Sequence, residues 1–319
     1  MTLTGITDSP LLMAPVGVQG VFHPQGELAL APACGELGVP YIMSTAASNS
    51  IENVAKALGN HPRWYQLYWP EDDEITVSFL QRAKANGFTT LVVTLDTPTV
   101  GWRPADLDIA NLPFLKGMGS KVGFSDPVFR RKFAAKSNGQ APEDNILDAC
   151  RYWMSQAFKG DHFSWDDLKL LKDNWDGPIV LKGIQSIEDA KLAVEHGMNG
   201  IVVSNHGGRQ VDGCVGSLEM LPEIVDAVGD KTTVLFDSGI RTGPDIIKAL
   251  ALGAKGVMVS RPAIYGLGIG GKEGAKSVLA GLLADLDQSM GIAGYKSISE
   301  LTRDVLRRTQ YGGDVKAMF

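Results

Sequence analysis

The sequence predicts an α/β protein of the (β/α)8 class, a TIM barrel, on three observations. Short apolar runs rich in Val, Ile and Leu alternate with amphipathic segments about eight times along 319 residues, the number of strand–helix units that closes a parallel barrel. Polar and charged residues collect where the apolar runs end, the end at which such barrels build their sites. The helical patterns stop at glycine, which accepts the left-handed backbone of a helix end at no steric cost.

Taken in order, the expected strands are Leu11 to Val16, Tyr41 to Ser44, Trp64 to Tyr68, Leu91 to Leu95, Ile179 to Lys182, Gly200 to Ser204, Val234 to Asp237 and Gly256 to Ser260. Each is short and bounded by turn residues, as a buried parallel strand is. Helical patterns lie between them, such as Ile187 to His196, Leu218 to Val228 and Gly243 to Leu252, followed by Gly197, Gly229 and Gly253. One connection breaks the spacing. Thr97 to Phe163 carries Gly117, Gly119, Gly123, Gly139 and Gly160 with Pro104, Pro113, Pro127 and Pro142. It reads as a loop-like insertion after the fourth strand and as a candidate lid, since connections this long are usually functional or disordered. Its charged stretch Arg130 to Asp148 reads as solvated surface. Residues 1–319 are expected to form one barrel domain with 97–163 as its insertion.

Composition narrows the function classes. With 44% hydrophobic and 21% charged residues the chain can build a sizeable core, which excludes wholesale disorder. A formal net charge of -6 and no basic block longer than Arg130-Arg131-Lys132 argue against a nucleic-acid partner. Cys34, Cys150 and Cys214 are widely spaced and odd in number, which suits reduced thiols and a cytoplasmic protein. No run reaches the roughly eighteen apolar residues of a membrane span. The start lacks a secretory pattern and the end, Lys316 to Phe319, is no peroxisomal address.

The run Ser204-Asn205-His206-Gly207-Gly208-Arg209-Gln210-Val211 leaves the sixth strand with a base and a permanent cation three residues apart. Its two glycines let backbone approach a flat ligand closely. An isolated His-Gly-Gly reads equally well as a tight turn with a satisfied histidine, so the other strand ends decide. The first gives Ala14-Pro15-Val16-Gly17 and the second Ser44 to Ser48. Gln66 and Tyr68 come from the third, Thr94 and Asp96 from the fourth, and Lys182-Gly183 from the fifth.

The seventh and eighth strands end in Asp237-Ser238-Gly239-Ile240-Arg241-Thr242-Gly243 and Ser260-Arg261-Pro262. These form the usual phosphate site of such barrels, from backbone amides and a helix start, with charge-assisted bonds available from Arg241 and Arg261. Ser44, Gln66, Thr94 and Lys182 together suit the heteroatom edge of an isoalloxazine ring. A buried Lys182 needs a negative partner, which a reduced flavin would supply. Singly, Tyr68 and Gln66 are ordinary strand residues, and Asp96 is a turn former before Thr97-Pro98. His23, His61, His162 and His196 read as surface or capping residues. Trp64, Trp69 and Trp102 read as packing, Trp102 also being placed to wall a pocket.

With these residues in place the chain resembles the FMN-dependent α-hydroxy acid oxidases and dehydrogenases. Leu181-Lys182-Gly183-Ile184, Ser204 to Gln210 and Lys248 to Ala254 carry the likeness, which covers nearly everything from Pro10 onward. Gly101-Trp102-Arg103-Pro104, Pro113-Phe114-Leu115, Asp126 to Phe129 and Phe236 to Arg241 look most like the lactate 2-monooxygenase branch. The resemblance implies that His206 takes a substrate proton while two electrons pass to the flavin, and that Asp106 holds the histidine. It implies a carboxylate clamp of Arg209 and Arg103, with Tyr68 on the substrate. Lys182 would stabilise anionic reduced flavin, with Ser44, Gln66, Thr94 and the Val16-Gly17 backbone holding the ring. Asp237, Ser238, Gly239, Arg241, Ser260 and Arg261 would hold the ribityl phosphate side. Ser260 and Ser238 stand where relatives commonly carry glycine, and neither change is expected to abolish FMN binding. Relatives carry a helical segment before the first strand that is expected to be missing here.

The expected activity is oxidation of a small L-2-hydroxy acid, lactate first, with O2 as acceptor, in a homo-oligomer of four subunits or more. Products would be acetate, CO2 and water, or pyruvate and H2O2. Two rivals stay open: a non-redox FMN barrel such as an isoprenoid isomerase, against which the His206/Arg209 pair argues, and a flavin-binding barrel with little turnover.

Overall fold

The computed structural model describes residues 9–160 and 163–308; residues 1–8, 161–162 and 309–319, with His162 among them, lie outside the described residues. Strands β1 (Leu11–Met13), β2 (Tyr41–Ser44), β3 (Arg63–Leu67), β4 (Thr90–Thr94), β5 (Ile179–Ile184), β6 (Gly200–Val203), β7 (Thr233–Phe236) and β8 (Gly256–Val259) pair in parallel in chain order. β8 closes onto β1, completing the (β/α)8 barrel the sequence predicts. β1 stops at Met13 rather than Val16, because Pro15 has no N–H to give a ladder. β5 runs on through Gly183, whose φ of 105° accompanies a register shift against β6.

Helices α1 (Glu27–Glu36), α2 (Ile51–Leu58) and α3 (Asp73–Ala85) follow the first three strands, and α4 (Pro104–Asp108), α5 (Lys121–Phe124), α6 (Pro127–Lys136) and α7 (Ile146–Ala157) follow β4. α8 (Leu168–Asn174) leads into β5, and α9 (Ile187–Glu195), α10 (Ser217–Val228), α11 (Gly243–Ala251) and α12 (Arg261–Ile292) complete the outer ring. Gly197 and Gly253 take left-handed φ values of 74° and 107°. Gly229 does not, with φ at -64°, so that helix ends without the expected cap geometry.

The insertion departs most from expectation, since a loop-like reading of 97–163 meets four α-helices and a short 3-10 turn among its described residues. Asp126 caps α6 by accepting from the backbone N–H of Val128 and Phe129, both at 2.9 Å, with Pro127 in the first turn. Within Arg130 to Asp148 Phe133 is buried, as are Phe129 and Trp153 on either side, so that stretch is only partly the solvated surface it was read as. From α3, Ser78 donates to Asp126 at 2.7 Å and Arg82 reaches it at 3.1 Å, which roots α5 to α7 on the barrel. The α4 region is different: α4 buries no residue, and Trp102 and Ile109 are 83% and 75% exposed.

Strand periodicity positions the site. Leu12, Ile42, Trp64, Val92, Val180, Val202, Leu235 and Met258 form a closed apolar cluster inside the barrel. Side chains on a strand return to one face every second residue, and two positions further on stand Ser44, Gln66, Thr94, Lys182, Ser204, Asp237 and Ser260. One more step of two gives Tyr68, Asp96 and His206. The barrel axis thus changes from apolar to polar to reactive within three layers. Among the described residues no helix is long and apolar enough to cross a membrane.

Candidate active site

The polar layer is a connected network. Ser44 Oγ and Thr45 N–H donate to Gln66 Oε1 at 3.0 and 3.1 Å, and Gln66 Nε2 donates to Thr94 Oγ1 at 2.9 Å. The Val16-Gly17 turn packs beside it: a Cβ on Gly17 would lie 2.8 Å from Ala46, and the Val18 N–H donates to the Ala46 carbonyl at 2.9 Å. These expected ring-holding residues therefore share one side of the mouth.

Lys182 is buried and donates to Ser204 Oγ at 3.0 Å, with Asp237 Oδ2 at 3.3 Å and Asp96 Oδ2 at 3.9 Å. Burial alone would depress its ammonium, but Asp237 and then Asp96 outweigh it and hold the pKa above the usual lysine value. The negative partner expected from flavin is thus already supplied by two carboxylates.

His206 sits at the head of a 3-10 turn with φ at 56°, a strained left-handed backbone of the kind that gathers at functional sites. Its Nδ1 lies 2.7 Å from Asp96 Oδ1 and 3.1 Å from Thr97 Oγ1. The carboxylate fixes the proton on Nδ1, so Nε2 carries the lone pair, 3.4 Å from the Tyr68 hydroxyl. Burial raises the Asp96 carboxyl, yet Lys182, His206 and Thr97 together hold it below its ordinary range. Burial also pushes the Tyr68 phenol up to about 12, so it keeps its proton at neutral pH.

The partner of His206 is therefore Asp96 and not Asp106, the residue the resemblance suggested. Asp106 lies in α4 and pairs instead with Arg209, at 3.2 Å. Two-residue counting from Thr94 would have found Asp96, whereas its place before Thr97-Pro98 made it look like turn chemistry. Sequence reading also gave no role to Thr97, Ser204 or Gln210. Gln210 Nε2 donates to the Asp96 and Thr99 carbonyls, both at 2.9 Å, and its Oε1 accepts from the Gly101 N–H and Arg103, both at 3.2 Å. It stitches the loop after β4 to the loop after β6.

Arg103 and Arg209 meet over this stitch, Arg103 Nε donating to the Arg209 carbonyl at 3.0 Å. Burial and then the charge of Arg209 hold Arg103 below its usual value. Two guanidinium groups whose charges act on one another suit a carboxylate ligand.

On the β7 and β8 side, Ser238 Oγ accepts from the Gly207 N–H at 3.0 Å and donates to Asp237 at 2.8 Å. Arg261 donates to the Gly207 carbonyl at 3.0 Å and Arg241 to the Ile240 carbonyl at 2.8 Å. The start of α11 is closed by a Thr242/Asp245 capping box, whereas Ser260 offers no side-chain cap to α12. A Cβ on Gly239 would meet nothing within 4 Å. Bare N–H groups at a helix start, two arginines and open backbone form an anion-binding donor set, and the polar layer suits a flat heteroaromatic ring. The residues fit FMN.

This site defines a barrel oxidoreductase of the flavin class. The comparisons agree: the FMN-dependent dehydrogenase family model matches residues 2–308. An FMN-dependent alpha-hydroxy acid dehydrogenase, qulF, of Penicillium citrinum is 59% identical over 310 residues, covering 97% of this chain and 76% of that protein. The L-lactate oxidase of Lysinibacillus sphaericus is 41% identical over 92% of this chain and 74% of its own length. A crystal structure of mandelate oxidase superposes with a TM-score of 0.78 at 37% identity, over 92% of this chain and 77% of that one. The chain belongs to the FMN-dependent α-hydroxy acid dehydrogenase and oxidase family, and FMN is its cofactor.

Proposed function

We propose that this protein oxidises a small L-2-hydroxy acid, with lactate the first substrate to test and O2 the acceptor. The observation that carries this reading is the Asp96–His206 pair on the same rim as two arginines whose charges act on Tyr68. Arg103 and Arg209 grip the substrate carboxylate, and Tyr68 donates its hydroxyl to the bound acid. His206 Nε2 accepts one proton from the substrate, and Asp96 stabilises the imidazolium that results. FMN, when bound, supplies the two-electron acceptor. Ser44, Gln66, Thr94, Lys182 and the Val16-Gly17 backbone hold its ring, and Asp237, Ser238, Gly239, Arg241, Ser260 and Arg261 its ribityl phosphate.

Product identity follows the order of release. Pyruvate leaving before O2 reacts gives pyruvate and H2O2, while pyruvate retained beside the peroxide is decarboxylated to acetate, CO2 and water. The exposed α4 stretch, which carries Arg103 at its start, governs that timing as a cover. The reading includes a cytoplasmic homo-oligomer of four subunits or more, which light scattering tests.

Anaerobic mixing of the FMN-loaded protein with L-lactate should bleach the flavin within seconds to minutes. An unchanged spectrum with lactate and with other small 2-hydroxy acids would refute the assignment in favour of a barrel that binds flavin without turnover. Product analysis in air then separates acetate from pyruvate plus H2O2.

A further inference from the structure

In the polar layer below the rims, two carboxylates converge on a single buried ammonium. Lys182 Nζ stands 3.3 Å from Asp237 Oδ2 and 3.9 Å from Asp96 Oδ2. Lys182 and Asp237 are both buried, and Asp96 Oδ2 makes no hydrogen bond among the described residues, so the ion pair leans toward β7. One positive charge against two negative ones leaves the layer net negative. The charge of Asp96 serves His206, which its Oδ1 meets at 2.7 Å. That of Asp237 has no such use, because a carboxylate repels the phosphate that the surrounding donors suit.

Asp237 is nevertheless held firmly. Its backbone N–H donates to the Val203 carbonyl at 3.1 Å, and its Oδ1 accepts from Ser238 Oγ at 2.8 Å. The same hydroxyl oxygen accepts from the Gly207 N–H at 3.0 Å. Ser238 makes these bonds from a left-handed backbone, φ 82°, which disfavours any residue with a Cβ. Its hydroxyl engages one carboxylate oxygen and leaves the other to Lys182.

We infer that Asp237 is a positioning residue acting through Lys182: its charge offsets the ammonium beside the flavin ring and lowers the reduction potential of bound FMN, with Ser238 holding the carboxylate in place. This rests on the reading of Lys182 as a residue that holds the ring. A flavin gains negative charge on reduction, so an ammonium at its edge favours the reduced form and a carboxylate on that ammonium opposes it. Burial keeps solvent from screening the pair. The consequence is a reduced flavin that gives up its electrons more readily.

The test is a redox titration of the FMN-loaded protein at neutral pH against a dye of known potential, followed by flavin absorbance, so it needs neither substrate nor turnover. Asp237→Asn keeps an oxygen for Ser238 and removes the charge. The equilibrium constant for flavin reduction should rise by about tenfold or more, which is about 30 mV for a two-electron couple. Ser238→Gly relieves the positive φ, frees the carboxylate to turn, and should raise the constant by about 2–5-fold. Lys182→Met should lower it by about tenfold or more. A merely structural Asp237 would give weaker FMN binding with an unmoved potential. That outcome in Asp237→Asn, or an unmoved potential in Ser238→Gly where Asp237→Asn loses its FMN, would overturn the inference while Lys182→Met still lowers the potential. A potential that Lys182→Met leaves unmoved would overturn the ring-holding reading and this inference with it.

Discussion

The two rims of the barrel mouth are built on opposite plans. On the β4/β6 rim nearly every polar group is committed to another across the chain: Asp96 to His206, Gln210 to Asp96, Thr99, Gly101 and Arg103, and Asp106 to Arg209. On the β7/β8 rim, among the described residues, Arg241 and Arg261 reach only backbone carbonyls, and α12 starts without a side-chain cap. Chemistry needs groups fixed before the substrate arrives, whereas a phosphate site needs donors free to turn toward an anion. Substitutions on the first rim should therefore change rate, and those on the second affinity.

The largest effect is expected from His206→Ala. Anaerobic reduction by L-lactate should slow by about 10⁴-fold or more while FMN stays bound; fast reduction by the variant would remove His206 from its role. Next come Arg261→Ala and Arg241→Ala, which should each weaken FMN binding by about 10–100-fold. At saturating FMN the reduction rate should stay near the parent value, so a slowed rate there would blur the division between the rims. Gln210→Ala removes the stitch and leaves two carbonyls without that donor. A drop in kcat of about tenfold with a raised KM is expected, since Arg103 loses a support. KM and kcat both unchanged would make the stitch incidental.

Much of this was legible in the sequence because it is local. All eight strands lie where apolar runs of strand length end in polar residues, and the His206 and Arg209 spacing places both on one loop. What was not legible is non-local or overruled by a local signal. Asp96 carried the look of a turn former, and its partnership with His206 spans the loops after β4 and β6, so only counting by twos from Thr94 points to it. The insertion looked like loop because glycine and proline punctuate it. Yet Asp126-Pro127 is a helix start, and Phe129, Phe133 and Trp153 are the residues that seat α6 and α7 against α3.

The smallest effect concerns stability against pH. Asp96 has a folded pKa below its unfolded value of about 3.9. Its contribution is therefore complete above that unfolded value and is lost as pH falls through the lower folded value. The Tm difference between the parent and Asp96→Asn should be constant near neutral pH and shrink in strong acid. A difference that instead grows on acidification would contradict the depressed carboxyl.

The most direct test of the account sets Asp96→Asn beside Asp106→Asn in anaerobic stopped flow with L-lactate, both loaded with FMN. Asp96→Asn should slow flavin reduction by about 10³-fold or more, because the imidazole loses its orienting carboxylate, while Asp106→Asn should stay within about tenfold of the parent. The reverse order would place the catalytic carboxylate on α4 and contradict the site described here.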